Sequence, residues 1–262
     1  MGSQVESPSL TLSIDRFEKL IAAICGAAAL SLAASAHAAL IEGQDVPRLV
    51  SFGGACQNCG LAGRRLVGAK FISANFDGAS LAGADLRGAS FIGSTFTGAD
   101  LTKADIRGAT MHGGNFMLAK FADARLEGLD AHATVFVSAN FSGADASQID
   151  LSFSNLTHAD AEDAHFDGGV LTHAILADGR FQRATFRDAK LEGANFAAAD
   201  LSDADLRGAD LAGAILAGAT LSGANLAGVH NLTQHQLEGS CGDARTRLPT
   251  GLFAPSCPRG RR

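Results

Sequence analysis

The chain contains neither Trp nor Tyr, and no Pro falls between Pro47 and Pro249. Without Pro, every residue of that interval keeps its backbone N–H for a hydrogen-bonded ladder. The 16 Phe are the only aromatic residues, and they recur at fixed places instead of mixing freely as in an ordinary globular core. The core is therefore built from one recurring cell. There is no basic stripe either, and a formal net charge of −6 over 262 residues disfavours a general nucleic-acid binder without establishing an acidic mimic. No Ser-His-Asp set, metal-ligand spacing or phosphate loop stands out. The sequence offers no catalytic residue, no cofactor or metal site and no evident small-molecule substrate, so it reads as a non-enzyme.

What is present is a repeat. From Leu61 to Leu226, 34 central positions stand five residues apart without a slip of register, and 29 of them are Leu or Phe. The exceptions are Ile106, Met111, Ala131, Ala146 and Ala161. Ala84-Asp85-Leu86-Arg87-Gly88 shows the cell: Ala two before the centre, Gly two after it. A fixed period decides the architecture. Five matches neither the 3.6 of a helix nor the 2 of a strand. It matches a chain that turns a corner every five residues, with Gly supplying positive φ. Four corners close a square, so residues twenty apart stack.

The tandem Ala-(Asp/Asn)-Leu-x-x pattern resembles the pentapeptide-repeat family along the whole of Leu61–Leu226. The resemblance implies an all-β fold, a right-handed quadrilateral β-helix of about eight coils, with the centre and the residue two before it pointing inward. One inner column would then read Phe76, Phe96, Phe116, Phe136, Leu156, Leu176, Phe196, Leu216, stacked rings along one wall. Ala131 stands where a large centre is expected while Leu129 fills a small position. With Ala146 and Ala161 this predicts a thinner or slightly distorted core between residues 129 and 165.

Outside the repeat, Arg16 and Lys19 precede an apolar run from Leu20 to Leu32 and then Ala36-His37-Ala38. A positive flank, a short apolar core and small residues at −3 and −1 describe a secretory signal cut between Ala38 and Ala39. The alternative is an uncleaved membrane anchor. Cleavage leaves no stable membrane span and makes the mature chain exported, in the periplasm. The chain divides into a signal peptide (1–38), a lead-in with a CxxC motif (39–60), the solenoid (61–228) and a capped tail (229–262). Thr233 three before Gln236, flanked by Leu232 and Leu237, forms a capping box and hydrophobic staple for a short helix from about Gln234 to Ser240. That helix would cover an open end of the solenoid, which is otherwise a liability and the place where two copies would join as a homodimer.

Four cysteines follow the leader: Cys56, Cys59, Cys241 and Cys257. An even count in an exported chain points to structural disulfides. Given the solenoid, the two pairs sit at opposite ends, which leaves Cys56–Cys59 and Cys241–Cys257. A redox or metal role for the CxxC is the competing reading.

On the outside, His112 and His132 would stack close enough to share a metal, but no third ligand is evident and they read as solvated histidines. The columns Asp163-Arg183-Asp203 and Asp160-Arg180-Asp200 place an Arg between acids on neighbouring coils. Ile72 with Ile92, and Met117 with Val137, are stacked apolar pairs on adjacent faces and form the candidate protein-interaction surface; Leu118 and Phe153 also point outward. The sequence thus reads as an exported rigid scaffold for an unidentified protein partner. The alternative is the activity the resemblance implies for quinolone-resistance members, mimicry of duplex DNA that protects type II topoisomerases such as gyrase. That role needs a cytosolic protein with a broadly negative face, against which the leader and the interleaved Arg and Asp both argue.

Overall fold

The structure, a computed structural model, describes residues 50–52 and 54–257. The chain divides into two units, Met1–Gln44 and Asp45–Arg262. The first lies wholly outside the described residues, as does the cleavage site at Ala38 and Ala39; the fold below is that of the second. Among the described residues no helix is long and apolar enough to cross a membrane.

The second unit is a right-handed quadrilateral β-helix. Strand β1 (Val50–Phe52) pairs in parallel with β2 (Lys70–Ile72), and from Ala55 onward each coil pairs with the next in steps of twenty residues, as in Arg65↔Asp85↔Asp105. Each side of the square contributes one short parallel bridge, centred on the residue before the large apolar position.

The five backbone N–H groups of one repeat explain the motif. In the repeat around Phe76, the N–H of Ala79 closes the corner onto the Phe76 carbonyl (2.9 Å). The N–H groups of Asn75, Phe76 and Gly78 bond to neighbouring coils at 2.7–2.9 Å. The fifth, on Asp77, has no carbonyl within reach and is taken by Oδ1 of Asn75 at 2.9 Å. The same bond recurs from Thr102 to Asp100, Met117 to Asn115 and Ser202 to Asp200. Asp or Asn before the centre is thus a turn acceptor, which leaves no backbone donor of the cell orphaned.

Every corner from Asn58 to Gly228 holds positive φ two residues after the centre. Gly fills this place through most of the early coils, and there the left-handed backbone is free of strain. Later corners carry Phe153, His158, Arg183 and other L side chains at φ near 58°, a conformation that costs such residues about 1–2 kcal/mol each.

Inside, centres and small partners are buried together: Phe96, Phe116, Ala104 and Ala119 are all inaccessible. The expected aromatic column forms, with Phe76–Phe96 and Phe96–Phe116 stacked at 4.7 Å and Phe116–Phe136 at 5.3 Å. Leu129 and Ala131 are both buried and exchange volumes. The small centres Ala131, Ala146 and Ala161 are buried, and around them the ladder continues unbroken through Asp130↔Asp150 and Asp145↔His165. Ser154 helps to hold it, because its hydroxyl donates to the Ala131 carbonyl (2.7 Å) and accepts from Thr134 N–H (3.0 Å), inserting into the turn.

At the far end α1 (Gln234–Leu237) closes the bore with buried Leu237. The capping box is present, with Thr233 N–H donating to Gln236 Oε1 at 2.8 Å. Gln236 Nε2 then donates to the carbonyls of Leu211 (2.8 Å) and Ala214 (2.9 Å). The first also accepts the corner-closing Ala214 N–H, and the second stands where earlier coils take the N–H of the next coil, as Ala194 takes that of Ile215. The helix is shorter than the expected Gln234–Ser240 because the Gly239 carbonyl accepts from Gly218 N–H at 2.6 Å and so belongs to the ladder. The tail keeps pairing at a shifted spacing, Thr220↔Cys241 and Asn225↔Arg247.

Candidate interaction face

The four sides are named by their first centres: Leu61, Leu66, Phe71 and Phe76. Their outward positions, one before and two after each centre, differ in charge. The Leu66 side carries the Arg–Asp cells. Asp85 and Arg87 form a two-pronged pair (Nε–Oδ1 2.8 Å, Nη2–Oδ2 2.7 Å), and Asp105–Arg107 and Asp205–Arg207 repeat it. Asp205 also accepts from Arg187 at 2.7 Å. Hydrogen bonds from Arg87, Arg107 and Arg207 hold Asp85, Asp105 and Asp205 below the ordinary carboxylate range, against the opposing effect of burial.

On the Leu61 side, Arg180 and Arg183 both reach back to the preceding coil. Arg180 meets Asp160 (3.1 Å) and Glu162 (3.0 Å), while Arg183 meets Asp163 (2.7 Å) and the same Glu162. They are not held between two acids as the columns suggest. Asp200 instead accepts from Gln182 (2.7 Å), and Asp203 from Arg245 of the tail (2.7 Å).

The Phe76 side is the contrast. Between Asn115 and Ile215 its outward positions carry one formally charged side chain, Asp178, together with His158. Asn alternates with aliphatic residues along its ladder: Asn115, Val135, Asn155, Ile175, Asn195, Ile215. Met117, Leu118, Ile175 and Ile215 are the exposed apolar residues here, and Val137 is half-buried. Ile72 and Ile92 lie half-buried on the adjoining Phe71 side, with Phe153 exposed farther along it. Ile175 and Ile215 were not among the expected surface residues. Their signal was available, since an aliphatic residue replaces the Asp or Asn that normally precedes the centre.

The Phe71 side holds the histidine pair. The rings of His112 and His132 stack at 4.7 Å. Asp130 and Asp150 lie beside His132, and the three ligand atoms fall within 4.8 Å of one another. At the ends, Cys56 and Cys59 are buried and disulfide-bonded to each other, and Cys241 is bonded to Cys257. Among the described residues no thiol is free.

A family model described as pentapeptide repeats matches overlapping segments from residue 65 to residue 241, more than half of the chain. Among solved structures, HetL, a pentapeptide repeat protein involved in heterocyst differentiation regulation from the cyanobacterium Nostoc sp. strain PCC 7120, is 26% identical with a TM-score of 0.42; 68% of this chain and 91% of that one are covered. A trypsin-treated form of QnrB1, a plasmid-mediated fluoroquinolone resistance protein, is 19% identical with a TM-score of 0.48, covering 67% and 91%. A pentapeptide repeat protein from the Arabidopsis thaliana thylakoid lumen is 24% identical with a TM-score of 0.16, covering 56% and 68%. No curated protein matches the chain.

Proposed function

The chain belongs to the pentapeptide-repeat family, and from that premise we propose that it acts as an exported, non-enzymatic scaffold whose uncharged side docks a protein partner in the periplasm. The observation that carries this reading is the segregation of charge. Arg and Asp are concentrated on the Leu61 and Leu66 sides, where they largely neutralise one another, while the Phe76 side presents Ile175, Ile215, Met117 and Leu118 in an almost uncharged field. Apolar residues recurring along an uncharged face suit an interaction surface, and depletion of charge is the compositional signal of an interface core. The leader ending at Ala38 and the two disulfide-bonded pairs support an oxidising compartment.

The test has two parts. N-terminal sequencing of the mature protein from the periplasmic fraction is expected to begin at Ala39. Cross-linking in that fraction is expected to give an adduct that disappears with Ile175→Arg plus Ile215→Arg and persists with Arg87→Ala plus Arg107→Ala. Loss only with the arginine variant would assign the contact to the charged side and overturn the reading.

A further inference from the structure

We propose that Asp130, His132 and Asp150 bind a divalent transition-metal cation of the Zn2+ class on the outside of the Phe71 side, with His112 close by as an additional donor. Two places in the described ladder set acid directly against acid on neighbouring coils, Asp85↔Asp105 and Asp130↔Asp150. Like charges opposed in this way repel. The first pair is neutralised by Arg87, Arg107 and Arg125. The second has no Arg or Lys ion partner among the described residues; what stands beside it is imidazole. His132 Nδ1 lies 2.6 Å from Asp130 Oδ1, with the His112 ring stacked against it. Asp150 Oδ1 is held by Ser152 N–H (2.9 Å) and its hydroxyl (2.6 Å), which fixes the carboxylate in place.

The three donor atoms already lie within 4.8 Å of one another. A tetrahedral Zn2+ with bonds near 2.1 Å wants about 3.4 Å between ligands, so side-chain rotation of roughly an ångström closes the set. Carboxylate alone would suit Mg2+ or Ca2+; an imidazole shifts the preference to a borderline cation. The ion would supply the positive charge that Arg supplies at Asp85–Asp105 and would tie neighbouring coils together, leaving its remaining coordination positions to solvent or a ligand.

The experiment is titration calorimetry on the EDTA-treated full chain, with Cys25→Ser to remove the one cysteine beyond the two disulfide pairs. The expected result is one saturable Zn2+ per chain, with Mg2+ at least ~100-fold weaker. His132→Ala and Asp150→Asn should each weaken Zn2+ about tenfold or more, and His158→Ala should leave it unchanged. Asn retains the acceptor for Ser152, so Asp150→Asn folds. Its metal-free form should melt higher than wild type, because the repulsion is gone, and should gain less than wild type from added Zn2+. The absence of saturable Zn2+ binding, wild-type affinity in His132→Ala and Asp150→Asn, or Mg2+ binding as tightly as Zn2+ would each overturn the proposal.

Discussion

The Phe76 and Leu66 sides of one solenoid combine buried rings and outer charge in different proportions. Behind the uncharged Phe76 side runs a stack of Phe76, Phe96, Phe116 and Phe136, with rings 4.7–5.3 Å apart. The Leu66 side has mostly smaller centres, among them Ile106 and Ala146, with one stacked ring pair, Phe166–Phe186 at 5.0 Å, and it adds a lattice of Arg–Asp pairs on its outer surface. One wall relies on its buried rings, and the other adds an outer lattice of ion pairs. The difference teaches that the wall with more large rings inside carries less charge outside.

The largest effect should come from the inner brace. Phe116→Ala opens the middle of the stack and is expected to cost ~3–5 kcal/mol, seen as a lower denaturant midpoint. If the cost is under about 1 kcal/mol, the stack is not what holds this wall. The outer brace is weaker. Asp205→Ala should cost about 1–2 kcal/mol, because Asp205 serves both Arg187 and Arg207 and also accepts from the Arg207 backbone (3.2 Å). Asp205→Asn keeps the turn acceptor and should recover part of that loss; an equal cost in both variants would assign all of the effect to the ion pairs. Acid should act on the same wall. Carboxylates held below their unfolded value contribute stability that is present above that value, near pH 4, and lost as pH falls through the depressed one. Thermal melts at pH 7 and below pH 3 should therefore show a fall that Asp205→Asn diminishes. The smallest change is a gain: Phe153→Gly removes an exposed L side chain at φ 58° and should stabilise by up to ~1 kcal/mol.

The fold was legible because the period is a property of the chain itself: centres, small partners and corner glycines all repeat in steps of five. The outer surface was less legible. Asp130 and Asp150 share one column of the repeat, but His132 follows its centre in another, and only the outward convergence of its ring brings it to both. The same limit applies to Arg183. The column places it between Asp163 and Asp203, but a long side chain selects one neighbour, and Asp203 is taken by Arg245 from a tail with no repeat to read. The role of Asp and Asn in closing the turn was hidden for another reason. Asp and Asn differ in charge but share the one side-chain oxygen that the backbone uses.

The shifted spacing at the far end limits growth as well as covering the bore. Coil upon coil, a step of twenty residues lets each layer template the next, and a second molecule with the same step would serve as well as this chain's own continuation. Cys241 and Arg247 pair at steps of 21 and 22 residues from Thr220 and Asn225, and Gln236 occupies the Ala214 carbonyl, one of the kind an incoming layer would need. Fibre elongation requires every junction to reproduce the last. At this end the rod presents a surface on which polymerisation has no next step.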